Sequence, residues 1–299
     1  MKSDRRANSG FVLVAVLWML AALATLASIY SKYAVNTADA SHVADDRVQA
    51  EASVRAGIEM AVLQQLAVPE QARPSHGAFD LRVGRTRVLV NFRPETARVD
   101  LNAAPPDLLV ALFSAVGGDP AHAGAFADRI VGWRTKGEAN VVSKEAKLYA
   151  DQRVPYPPRQ APFDNALELS LLPGIPRAVV ERILPFVTVF SGQAKIDVAA
   201  ADPALLSALP GMTPQILSSV LKARASEGVD GQALLGLLGP AKDHAAVERS
   251  KTTRAAVEVR FDNGRRVQAE IVFRLKEEGD EPYDILHWRD DFDQPMEAE

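Results

Sequence analysis

The chain has no cysteine in its 299 residues. That removes disulfides, thiolate metal sites, iron–sulfur ligation and a thiol nucleophile together. Nor does it contain a G-x-S-x-G elbow, a G-x-G-x-x-G loop or a Walker motif, so the common nucleophile turns and phosphate cradles are missing. The five histidines, His42, His76, His122, His244 and His287, stand apart with no H-x-x-x-H pair. They read as surface or structural groups, and no catalytic activity is expected. Surplus positive charge is lacking too. The formal net charge is −4, which argues against bulk nucleic-acid binding.

What the sequence has is one long uncharged run. The twenty residues from Phe11 to Tyr30 pass without a charge. As a helix they rise about 30 Å, enough to cross a bilayer's hydrocarbon core. Lys2, Arg5 and Arg6, with one acid, Asp4, precede the run. Basic flanks stay on the cytoplasmic side, so the rest of the chain is expected on the far side. The run exceeds the roughly 7–15 apolar residues of a cleaved secretory signal, and its exit, Ser28-Ile29-Tyr30-Ser31-Lys32, has no A-x-A site. A retained anchor is the reading. Hydrophobic residues make up 47% of the chain, enough for a core outside the membrane.

Beyond Tyr30 nothing breaks a helix until Pro69. Val54, Ile58, Val62 and Leu66 recur every fourth residue, with Ala61 alongside, and predict an amphipathic continuation of the same helix. Asp45, Asp46, Arg47, Glu51, Arg55 and Glu59 fall mostly off that stripe. Two strands follow, Phe79–Val83 and a run with Val88, Val90 and Phe92 on one face, turning at Gly84-Arg85. Arg98 to Asn102 reads as a short third strand. From Pro105 the pattern is helical: Pro106–Val116, then a helix capped by Asp119 with Pro120 in first position, running to Arg134. Residues 135–165, with Pro155, Pro157, Pro158 and Pro162, read as a long loop. Leu167–Pro185 holds two short helices joined at Leu172-Pro173-Gly174-Ile175. From Thr252 strands return, with a hairpin turn at Asp262-Asn263-Gly264 and a last strand at Tyr283–Trp288. These strands are expected to pair with the first ones.

An internal repeat lies in the middle. Arg98–Leu109 aligns with Lys195–Leu206 at six identical positions of twelve, and each copy reads as strand, turn and proline-initiated helix. The second copy continues into Leu209-Pro210-Gly211-Met212, echoing the earlier Leu-Pro-Gly. Such glycine turns occur in helix–hairpin–helix modules that offer N–H groups to a phosphate. Here Pro176 takes the place of the second glycine and removes a donor, and Glu168 and Glu181 flank the turn beside Arg177 and Arg182. Packing is the favoured role. The rival reading is a membrane-anchored DNA receptor. For calcium, residues 135–149 offer Glu138, Glu145, Asn140 and Ser143 against Lys136, Lys144 and Lys147, a poor donor set. The tail from Glu277 to Glu299 holds ten acids and one Arg289. Asp280, Glu281, Asp284, Asp290, Asp291 and Asp293 read as solvated acids.

Gly10-Phe11, the basic leader, the apolar helix and the small β region together resemble a type IV pilin-like precursor. Val99-Asp-Leu-Asn-Ala-Ala-Pro105, Ile130-Val-Gly-Trp133, Tyr156-Pro-Pro158 with Ala161-Pro-Phe163, Glu168-Leu-Ser-Leu-Leu-Pro-Gly174 and Pro185-Phe-Val-Thr-Val189 extend the likeness. They resemble the K-type minor pseudopilins (GspK family) of type II secretion. The resemblance implies an α+β, type IV pilin-like fold: a long N-terminal helix packed on an antiparallel sheet, with a large α-helical insertion. It implies a leader at 1–10, a transmembrane helix at 11–30 and its amphipathic continuation at 31–68. The pilin-like β region would span 69–102 and 246–299, with the helical insertion at 103–245. It further implies prepilin-peptidase cleavage between Gly10 and Phe11 and N-methylation of Phe11. Helix packing in the membrane and against partners would use Phe11, Leu13, Ala15, Leu17, Trp18 and Leu20. Ala15 stands where most such proteins have a glutamate that is costly in hydrocarbon unless paired, and its absence implies a subunit at the end of the fibre. The implied place is the bacterial inner membrane, single-pass, with the C-terminal part in the periplasm. The implied partners are the I-, J- and H-type minor pseudopilins, the prepilin peptidase, the inner-membrane assembly platform, secreted substrates and the outer-membrane secretin, and no nucleic acid. Calcium enters only through the resemblance. Arg134, Thr135 and Lys136 stand where relatives carry aspartates, so no cofactor is expected.

Overall fold

The computed structural model describes residues 8–69, 73–137, 144–226, 231–247, 250–276 and 278–292, without the side chains of 8–10 and 34–44. One helix, α1 (Asn8–Leu66), carries the chain for 59 residues. It passes through position 36 unbroken, as expected from a stretch without proline or glycine there. Its last turns bury Ala50, Val54, Ile58, Ala61 and Val62. Leu66, placed on that stripe by its spacing, is instead 37% exposed. At this turn Gln65 takes the inward position, its Nε2 donating to the Ala61 carbonyl at 3.5 Å and its Oε1 accepting from the Thr253 hydroxyl at 3.4 Å.

The sheet beneath α1 is antiparallel. It runs β1 (Gly77–Val83), β2 (Thr86–Pro94), β7 (Thr252–Phe261), β8 (Arg266–Leu275) and β9 (Tyr283–Asp290) in that spatial order. The early and late strands pair directly, with Val88 opposite Val259 and Val90 opposite Val257. Strand alternation then puts Val88, Val90, Phe92, Val257, Val259, Val267, Ile271 and Phe273 on one buried face. Helix and sheet come close at Gly57, where an added Cβ would meet Val90 Cγ2 at 3.0 Å. Charged residues beside the buried stripe fasten the helix: Asp46 pairs with Arg265 at 3.2 Å, Arg55 lies over the Trp288 ring at 5.5 Å, and the Tyr283 hydroxyl donates to Glu59 at 2.7 Å.

Between β2 and β7 the chain builds an insertion with its own core. It holds β3 (Val99–Asp100), α2 (Pro106–Ala115), α3 (Ala123–Arg134), α4 (Lys144–Asp151), α5 (Arg177–Ile183) and β4 (Val187–Thr188). The second part adds β5 (Ile196–Asp197), α6 (Pro203–Ser207), α7 (Pro214–Arg224), α8 (Gly231–Leu237) and β6 (Ala245–Ala246). β3 pairs in parallel with β4, and β5 with β6. The boundaries therefore differ from 103 and 245. Val99–Asp100 is a strand of the insertion and not of the sheet, because its partner lies in the insertion. The repeat recurs in three dimensions: each copy is a two-residue strand, a turn and a helix begun by Pro106 or Pro203.

Two local expectations are corrected. α3 begins at Ala123, because Asp119 accepts from the His122 N–H at 3.2 Å and holds a separate turn. The Pro-rich stretch 135–165 contains α4, which buries Glu145 and Tyr149 one helical turn apart. Arg129 meets Glu145 at 3.0 Å, and Trp133 stacks on Tyr149 with ring centroids 6.3 Å apart.

Candidate functional site: an unburied helix surface

The first part of α1, from Phe11 to Tyr33, is exposed along its whole length. Phe11–Tyr33 is a 23-residue span of mean hydropathy 2.5 with none of it buried. That is long and apolar enough to cross a membrane, and it runs three residues beyond Tyr30. Gly10-Phe11 lies in the first turns of the helix. Phe11, Leu13, Leu17, Trp18 and Leu20 are exposed, with Phe11 and Trp18 more than three-quarters so, and Ala15 is exposed among them. These six residues face different directions around the helix. They form an all-round apolar cylinder and not a converging pocket.

Further along, α1 buries one apolar face on the sheet. On its exposed side, Val48, Ala52, Met60, Leu63 and Leu66 face outward among Asp45, Arg55 and Glu59. The side-chain stripe at Val54, Ile58 and Val62 was legible from spacing. The outward row was not singled out, although Val48-x-x-x-Ala52-x-x-x-Ala56-x-x-x-Met60 follows the same fourfold rule. Exposed apolar residues on the opposite side weaken the amphipathic signal, and the position of the sheet tells which row is core. The outward row lies on the same helix as the membrane-spanning stretch.

The hairpin glycines behave as packing turns. Gly174 and Gly211 have φ of +86° and +80°, a conformation glycine adopts without strain. The N–H groups that a phosphate would need are used internally: Ile175 donates to the Leu172 carbonyl at 3.4 Å and Met212 to Leu209 at 3.0 Å. Pro176 caps α5 without a donor, and Arg177 is held by Glu181 at 2.7 Å.

The described histidines lie apart. His122 meets Asp119 at 2.9 Å, His244 meets Asp107 at 3.2 Å, and His287 sits against Phe190. Burial, then the Arg254 charge, holds the His287 pKa below its ordinary value. Among the described residues no three His, Asp or Glu side chains are placed to hold a metal. After Trp133, the Arg134 guanidinium occupies the Leu101 and Ala104 carbonyls, each at 2.6 Å. Glu138, Asn140, Ser143 and Asp293 lie outside the described residues.

Residues 89–192 match the family described as Type II secretion system (T2SS), protein K. Among solved structures, one chain of the GspK–GspI–GspJ complex from the type 2 secretion system of enterotoxigenic Escherichia coli shares the fold. Its TM-score is 0.61 at 16% identity, over 83% of this chain and 97% of that one. The α+β, pilin-like architecture with a helical insertion is thus a fold already seen in a secretion complex. No curated protein matches the chain.

Proposed function

We propose, from the match of residues 89–192 to the protein K family and from the shared fold, that this chain acts as a K-type minor pseudopilin of type II secretion, stands at the tip of the pseudopilus and starts its assembly. Among the described residues one helix is long and apolar enough for a single-pass anchor. In this reading the prepilin peptidase cuts between Gly10 and Phe11, Phe11 is methylated, and the sheet and insertion face the periplasm. The cut removes the charged leader, so the apolar cylinder can leave the bilayer and pack against other helices.

The observation that carries the tip position is the insertion. It is a second body with its own core, set between β2 and β7, and bulk of that kind blocks stacking of further copies ahead of it. Ala15 agrees, because a subunit with nothing ahead needs no carboxylate to meet a neighbour's amino terminus. The outward row on α1 supplies the surface for partner helices. I- and J-type pseudopilins are the first partners to expect, since the similar chain was solved in a complex with GspI and GspJ. The H-type subunit, the inner-membrane assembly platform, secreted substrates and the secretin complete the proposed set. The role is structural, in support of export across the outer membrane.

Co-purification tests this. The chain should capture I- and J-type partners, and a monodisperse monomer that ignores both would sink the tip role. Val48→Glu with Leu63→Glu should weaken capture without unfolding the chain, because both side chains are more than half exposed. Gly10→Val should leave an unshifted precursor on a gel.

A further inference from the structure

Arg98 is a cation short of partners. It lies where the chain leaves β2 for the insertion, with its side chain 24% exposed. Two carboxylates are near, and both are already engaged. Glu95, fully buried, accepts from Arg254 Nε at 2.6 Å and Nη2 at 3.1 Å, and also takes the Thr188 hydroxyl. Glu270 Oε1 accepts from Arg254 Nη1 at 2.6 Å and lies 3.4 Å from Arg289. Arg98 reaches only Glu270 Oε2, at 3.9 Å, beyond hydrogen-bond distance. Three guanidinium groups thus face two carboxylates, a surplus of one positive charge. Burial, then Arg254, brings the Arg98 pKa down to about 10, which leaves it charged at neutral pH. Glu181 also lines this region, but Arg177 holds it at 2.7 Å.

The guanidinium borders a 240 Å³ cavity between the insertion and the outer face of the sheet. One wall is Arg98, Arg254, Glu270 and Arg289; the other includes Leu167, Leu184 and Phe190. A second cavity, 350 Å³, opens on the other flank of Arg98, with Arg93 and Asp202 in its lining. A planar guanidinium with free donors matches a carboxylate. The single surplus charge suits a monoanion, and the apolar wall suits an apolar substituent.

We propose that this cleft binds a carboxylate carrying an apolar group, with the carboxylate on Arg98 and Arg289 and the apolar part against Leu167, Leu184 and Phe190. Two sources share this chemistry, a small organic acid and the C-terminal carboxylate of a peptide. The test uses the full chain in detergent micelles. 4-Fluorobenzoate should bind by fluorine NMR, and 4-fluorobenzamide should not. A tetrapeptide ending in leucine, against its C-terminal amide, tells a peptide source from a small acid. Arg98→Gln should weaken binding about tenfold or more, the loss expected for a charge-assisted pair. Arg289→Gln, at an exposed site that leaves folding intact, should weaken it several-fold. Arg82→Gln, on the far strand, should leave it unchanged. Equal binding of acid and amide, no binding of either acid, or affinity unmoved by Arg98→Gln and Arg289→Gln would overturn the proposal.

Discussion

In the first copy of the internal repeat, Asp100 closes its turn by accepting from the Asn102 N–H at 2.7 Å; in the second, Asp197 accepts from Ala199 at 2.9 Å. The next main-chain bonds match as well, Ala104 to the Asp100 carbonyl at 2.8 Å and Ala201 to Asp197 at 2.9 Å. Each turn is then met by an arginine at the end of a later helix, Arg134 of α3 and Arg224 of α7. There the likeness ends. Arg134 reaches two carbonyls, at 2.6 Å each, whereas Arg224 reaches only Ala201, at 2.9 Å, and its Nη1 is buried without a hydrogen-bond partner. Asp100 Oδ2 also accepts from the Ser191 hydroxyl at 2.9 Å and the Gly192 N–H at 2.7 Å. Asn102 exchanges two bonds with the Phe163 main chain, where the second copy has Ala199. One local motif makes the same turn twice, but only in the first copy do the side chains of the turn itself, Asp100 and Asn102, bond to distant segments.

That contrast predicts a graded set of stability losses, all readable by urea unfolding followed through tryptophan fluorescence. Arg134→Met removes two half-buried charge-assisted bonds and should cost about 2–4 kcal/mol. Arg224→Met removes one and frees a donor that is already unpaired, so about 1 kcal/mol or less is expected. Equal losses would break the comparison. Asn102→Ala should cost about 1–2 kcal/mol, since it strands the Phe163 N–H and carbonyl, and Ala199→Asn should gain nothing because no equivalent main chain waits there. The smallest effect concerns Asp197. Burial, outweighing the Ala199 N–H and the Arg224 charge, pushes its carboxyl above the ordinary range. A raised folded pKa contributes stability that is complete below the unfolded value, about 3.9, and is lost as pH rises through the folded value. Asp197→Asn keeps the acceptor for Ala199 and should change stability at neutral pH by less than about 1 kcal/mol, while flattening that segment of the pH profile. A profile unchanged by the substitution would remove the argument for an unsatisfied second copy.

Much of the scaffold was open to reading along the chain. The absence of helix breakers between Phe11 and Leu66, the alternation in β2, β7 and β8, and the repeat itself are local patterns, and each became the element its period implies. The misses have long-range causes. α4 hides among prolines because its support comes from Arg129 and Trp133 on another helix. Between β8 and β9 the register slips at Val272 and Phe273, so Ile271 faces Trp288 while Phe273 faces Ile285. That bulge reverses the alternation. It turns Trp288 toward α1 and leaves Arg289 beside Glu270, an arrangement no period of two announces. The candidate surface on α1 was half visible. Its membrane part is an uncharged run, but the outward row near Met60 looks like core until the sheet is seen on the opposite face.

By itself the sequence determined the elements: a continuous helix, strands that bury one face, and two proline-started turns closed by aspartate. These depend on propensity, periodicity and side chains only two or three residues away. Tertiary structure decided which apolar residues of α1 are buried on the sheet and which stay open. It decided which copy of the repeat has its polar groups met, and that Arg98 stands beside a cleft with one positive charge to spare. Such outcomes rest on partners far apart in the chain, whose distances and exclusion of water exist only once the fold has formed.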